Sequence, residues 1–198
     1  MKRPGFFTRV TRFIGALALL PVLAMEGMAV WDLLRTAPPT RDLLAFGCGF
    51  ALWLALFHGL FRPFRAYVLA HELSHALWGI FTGARVSGLR ISNRGGSVRL
   101  SEAGLFTTLA PYFLPLYTLL LLTVYGVLSL FIHPASGQVF WMAALGASWG
   151  FHVSFTISIT LNTPQPDLRE YGVFFSAVLI LIFNLAIFLC ALVILGEP

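Results

Sequence analysis

The chain has 198 residues, 58% of them hydrophobic and 11% charged, with a mean hydropathy of +0.85. Soluble domains carry about 45–50% apolar and about 25% charged residues, so a soluble globular domain, a disordered chain and a disulfide-stapled secreted module are excluded. The net charge of +5, from 13 Lys+Arg against 8 Asp+Glu, falls between apolar blocks, which is headgroup chemistry and not a nucleic-acid footprint.

A membrane-spanning helix needs about 20 mostly apolar residues. The first such block, roughly Phe13 to Trp31, follows Lys2, Arg3, Arg9 and Arg12. It ends at Trp31 and Asp32, an interfacial pattern that reads as an uncleaved helix in preference to a signal peptide, despite the small residues near Ala24. Pro38 and Pro39 predict a tight loop, and a second block follows from Leu43 to Leu60. Pro63, between Arg62 and Arg65, marks a turn so short that the second and third blocks are expected to be antiparallel neighbours. The third block, Tyr67 to Phe81, is shorter and carries His71, Glu72 and His75.

After it the pattern alternates: Val86, Leu89 and Ile91, then Asn93-Arg94-Gly95-Gly96, then Val98 and Leu100. Two β-prone runs around an Asn/Gly turn predict a hairpin, within a loop from 82 to 104. It is either a surface ornament or a sheet edge that pairs an extended peptide. Three longer blocks follow, Leu105 to Phe131, Val139 to Leu161 and Tyr171 to Leu195.

The expected fold is an α-helical membrane protein, a bundle of about six transmembrane helices with a small β-hairpin, forming one domain over residues 1–198. Cys48 and Cys190 fall inside apolar blocks and read as small core residues. Ser154, Thr156, Ser158, Thr160 and Asn162 alternate with apolar residues, read as a helix dotted with hydroxyls in preference to an extended segment. Alternating six spans put Lys2, Arg3, Arg9, Arg12, Arg62 and Arg65 on one side and Arg35, Arg41, Arg85, Arg90, Arg94, Arg99 and Arg169 on the other. That balance sets no orientation.

His71-Glu72-Leu73-Ser74-His75 is an H-E-x-x-H motif. On a helix, i and i+4 share one face, so both imidazoles can reach one cation, with Glu72 beside them as a proton acceptor. Ionisable groups at bilayer depth each cost at least about 2.5–3.5 kcal/mol, which argues against three of them within five positions by accident. A catalytic zinc site needs a third protein ligand. His58 reads as interfacial, His133 lies in a His-Pro loop, and His152 is a lone histidine in a span. Asp167 follows Pro164 and Pro166, which must interrupt helix before it. From the residues alone, this is equally a broken span that delivers a carboxylate and a polar turn in which Asp167 caps the last helix.

An intramembrane HExxH, then Gly83 and a hairpin, then a distant Asn162-Thr-Pro-Gln-Pro-Asp167 before a last span, resembles the site-2 protease group of M50-type intramembrane zinc peptidases, in its smaller M50B-like branch. The match runs from about Tyr67 to Gly172; the family's Leu-Asp-Gly-Gly ending is here Pro166-Asp167-Leu168-Arg169, and no PDZ-like insert fits between Leu161 and Tyr171. The resemblance implies Zn²⁺ held by His71, His75 and Asp167, and Glu72 as general base in peptide-bond hydrolysis. It implies membrane-embedded or membrane-proximal protein substrates, and both termini on the side away from the catalytic end. Asn162 and His152 are candidate substrate-binding donors. The expected location is a multi-pass position in the bilayer of a prokaryotic cell, without a nucleic-acid partner. Two alternatives are a gluzincin-like protease with Glu170 as third ligand and a non-catalytic metal-binding scaffold.

Overall fold

The computed structural model describes residues 5–36, 40–131 and 137–196, with side chains to Val193. The Pro38–Pro39 loop and His133 lie outside the described residues. The elements are α1 (Phe6–Thr36), α2 (Arg41–Gly59), α3 (Phe64–Phe81), β1 (Val86–Ser92), β2 (Gly95–Leu100), α4 (Leu105–Phe113), α5 (Leu116–Ser129), α6 (Gln138–Asn162), α7 (Pro166–Tyr171) and α8 (Val173–Gly196). Four of them, α1, α2, α6 and α8, are long and apolar enough to cross a membrane, five if α4 and α5 count as one broken span. α3 is not among them.

The chain divides into two compact units. One is continuous, from Pro39 to Asn162; the other joins the residues up to 38 with those from 163 onward.

In the continuous unit α2 and α6 run side by side in the same direction. Gln138 donates to Asp42 at one end, Trp53 Nε1 donates to Ser154 Oγ at 2.9 Å further along, and Phe57 meets Phe155 edge-on at 5.0 Å. Between these ties the backbones touch: a Cβ on Gly49 would overlap the Ala143 carbonyl, and one on Gly146 the Phe46 carbonyl. Lipid offers no hydrophobic drive for helix pairing, so small residues that allow this approach are what hold such a pair. α6 is helical to Asn162, so the hydroxyl-dotted segment is helix as expected.

The predicted span over Leu105 to Phe131 is two helices bent by 74°. Leu114, forced out of helix by the following Pro115, has φ −94° and ψ 102°. α4 runs antiparallel to α3, with Thr107 beside His75 and Tyr112 beside His71; α5 runs antiparallel to α6, with Thr118 bonded to Ser148 at 2.9 Å and Tyr125 against Trp141. The hairpin forms as expected, antiparallel, with Leu89 opposite Val98 and Ile91 opposite Gly96, and it lies back along α3.

In the discontinuous unit α1 and α8 start at one end and run parallel. Arg12 lies against Tyr171, Phe13 against Phe174 and Gly15 against Phe175. The outer ends of α1 and α8 therefore lie at opposite ends of the pair. Cys48 and Cys190 are exposed and not core residues, because each sits on a helix flank that no neighbour covers.

Candidate metal centre

The site grows from α3. His71 and His75 are one turn apart, with ring centroids 4.9 Å apart and planes at 83°. His75 Nδ1 lies 2.8 Å from the Thr107 carbonyl oxygen. A carbonyl can only accept, so Nδ1 carries the proton and the lone pair that can bind a metal is on Nε2. That carbonyl is available for a reason written in the sequence. Within an α-helix it would take the N–H of residue 111, but residue 111 is a proline inside α4 and has none. Pro111 thus hands the Thr107 oxygen to His75.

His71 is fixed by two tyrosines. Tyr67, one turn earlier on α3, places its hydroxyl 3.1 Å from His71 Nδ1, and the buried Tyr112 ring meets the imidazole edge-on at 5.4 Å. Tyr67 is itself held by stacking on Phe155, with centroids 4.9 Å apart and planes 9° apart. Outer partners of this kind orient metal-binding imidazoles and set their tautomer.

Glu72 is buried, with 7% of its surface exposed. Strand β2 lies directly over it. A Cβ on Gly96 would come within 2.6 Å of Glu72 Cγ and 2.7 Å of Val68 Cγ1, so only glycine lets the strand approach this closely. The hairpin therefore shields the carboxylate from one side.

A small cavity of about 20 Å³ opens beside His71, lined also by Ser74, Tyr117, Ser148 and His152. It has room for a water and polar groups to hold one. It exists because α4 and α5 part at Leu114–Pro115, two residues that border or flank it. Of the sequence-predicted residues, the continuous unit brings together His71, Glu72, His75 and His152. Asn162 does not line the cavity; it is exposed at the end of α6, where its Nδ2 donates to the Ser158 carbonyl at 2.7 Å. His58 is exposed at the end of α2 and packs edge-on against Phe57.

Asp167 belongs to the discontinuous unit, half-buried in the first turn of α7. It does not cap the last helix: Gln165 is the N-cap of the separate α7, Pro166 is its first residue, and Gly172, with φ 95°, separates α7 from α8. The Glu170 carbonyl accepts a hydrogen bond from Arg12 at 2.6 Å.

Sequence reasoning missed Tyr67, Thr107, Pro111 and Gly96. The signals were present: a tyrosine four residues before the first histidine, and a proline four residues after Thr107. His75 with its tautomer set by a carbonyl, and His71 oriented by two tyrosines, beside a buried carboxylate fit zinc, which takes nitrogen and carboxylate-oxygen donors. No protein-family model, curated protein or solved structure matches the chain.

Proposed function

We propose that this protein is a zinc metallopeptidase of the site-2 protease kind that hydrolyses peptide bonds of membrane-embedded or membrane-proximal protein substrates. The observation that carries the reading is the His75 Nδ1–Thr107 carbonyl bond, which commits His75 to the tautomer a metal needs while Glu72 lies buried one residue from His71. A merely structural histidine pair has no use for a buried base beside it.

His71 and His75 would hold the ion, with Asp167 as third ligand on the strength of the motif resemblance. A bound zinc ion supplies Lewis acidity to the scissile carbonyl. Glu72 takes a proton from the attacking water and returns it to the leaving amine, and its cover by β2 keeps that proton from bulk exchange. The open edge of the hairpin pairs an unwound substrate strand through backbone hydrogen bonds. His152 borders the same cavity as His71 and is the better candidate of the two predicted donors to the substrate carbonyl; Asn162 is the weaker.

We further propose six membrane-embedded segments in the cell membrane of a prokaryote. The parallel course of α2 and α6 requires an odd number of crossings between them. α3 as the crossing and the bent α4–α5 pair as a re-entrant loop meet that requirement, which makes five crossings in all.

The test is zinc content and cleavage of a transmembrane peptide by the purified chain. His71→Ala, His75→Ala and Asp167→Ala should lose zinc; His152→Ala should retain it. Glu72→Gln should retain zinc and lose about 10²–10⁴-fold in turnover. Full zinc in Asp167→Ala with loss in Glu170→Ala would move the third ligand, and zinc without any cleavage in the wild type would leave a metal-binding scaffold.

A further inference from the structure

A groove in the discontinuous unit brings three guanidinium groups, Arg9, Arg12 and Arg169, beside the aromatic rings of Phe13, Phe174 and Phe175, and no carboxylate lines it. We propose that it binds the phosphate headgroup of an anionic phospholipid, with the aromatic wall taking the first part of an acyl chain. The proposal does not depend on the proteolytic reading.

Three observations point to that ligand. First, the groove sits where two strongly apolar helices begin together: α1 has a mean hydropathy of 2.0 and α8 of 2.8 over their most apolar stretches, so their shared start falls at a bilayer boundary. Second, Arg12 is held in place before any ligand arrives. It donates to the Glu170 carbonyl at 2.6 Å and lies over the Tyr171 ring at 4.9 Å, while Arg9 and Arg169 stay exposed on either side. Third, like charges gathered without an acidic partner repel, and a phosphate diester relieves that repulsion through forked guanidinium hydrogen bonds. The aromatic side walls favour a phosphate that carries an acyl chain over free phosphate.

The test compares phosphatidylglycerol with phosphatidylcholine, each added to the full chain in detergent and read by native mass spectrometry and by thermal unfolding. Phosphatidylglycerol should stay bound and raise the unfolding temperature, and phosphatidylcholine should do neither. The double variant Arg9→Gln/Arg169→Gln, which leaves Arg12 in place, should bind phosphatidylglycerol about thirtyfold more weakly, roughly fivefold per arginine. Arg9→Lys/Arg169→Lys should recover part of that loss. The control Arg35→Gln/Arg41→Gln removes the same charge elsewhere and should bind as the wild type does. Equal losses in the control, equal binding of the two lipids, or displacement of phosphatidylglycerol by millimolar inorganic phosphate would each overturn the lipid site.

Discussion

Both units are organised around a parallel helix pair, but the two pairs are built on different contacts. α2 and α6 meet backbone to backbone at Gly49 and Gly146, and half of the most apolar stretch of α6 is buried. α1 and α8 meet through rings and side chains, and only 11% of the corresponding stretch of α1 is buried. Two backbones in direct contact can slide or rotate very little, whereas packed phenylalanines re-pack at small cost. The rigid pair is the one whose unit holds His71, Glu72 and His75. A metal centre of the kind proposed would tolerate displacements of only about 0.5 Å, so this is where rigidity would be needed.

The comparison breaks most visibly at the glycines. Gly146→Ala puts a methyl group onto the Phe46 carbonyl and should cost about 3 kcal/mol or prevent folding, measured by reversible unfolding in detergent. Next comes the hairpin contact. Gly96→Val should lift β2 off Glu72 and lower peptide cleavage by about 10²-fold, with zinc content unchanged, because proton transfer is worth about 10²–10⁴-fold. Loss of zinc in that variant would mean that the strand supports the histidines and not the carboxylate.

Smaller effects are expected one layer further out. Pro111→Ala restores an N–H that competes for the Thr107 carbonyl, and should weaken zinc binding about 10-fold, the lower end for such supporting contacts, without altering the proton-transfer step. Trp53→Phe removes the bond to Ser154 and should cost about 0.6 kcal/mol, a typical value for a side-chain hydrogen bond between membrane helices. Smallest of all, Gly15→Ala in the other pair meets Phe175 at 3.5 Å, an ordinary contact, and should leave stability within about 0.5 kcal/mol. A large loss there would erase the distinction between the two pairs.

Local chemistry was legible in the chain; pairing was not. The HExxH helix, the hairpin and the apolar helices follow from periodicity and from turn residues such as Gly95, whose φ of 135° only glycine adopts readily. The break at Leu114–Pro115 was also legible in principle, since proline restricts the residue before it, yet a long, mostly apolar stretch without a charged residue from Leu105 to Phe131 reads as one span. The parallel course of α2 and α6 was hidden because contact depends on which glycine faces which carbonyl across about a hundred residues. Hydropathy cannot report that. The exposed cysteines have the same cause: in a lipid-facing protein, apolar character no longer separates inside from outside.

The split of the chain into a continuous and a discontinuous unit has a consequence for synthesis. Chains emerge from the ribosome N-terminus first, at about 5–20 residues per second. α1 is made before its partner α8, so it waits unpaired while everything between them is translated, and its apolar, little-buried surface, long enough to cross a membrane, suits it to that wait. The unit that carries the HExxH helix is complete in sequence once Asn162 has left the ribosome. Its helices can find one another before α8 exists, and the α1–α8 pair closes only afterwards.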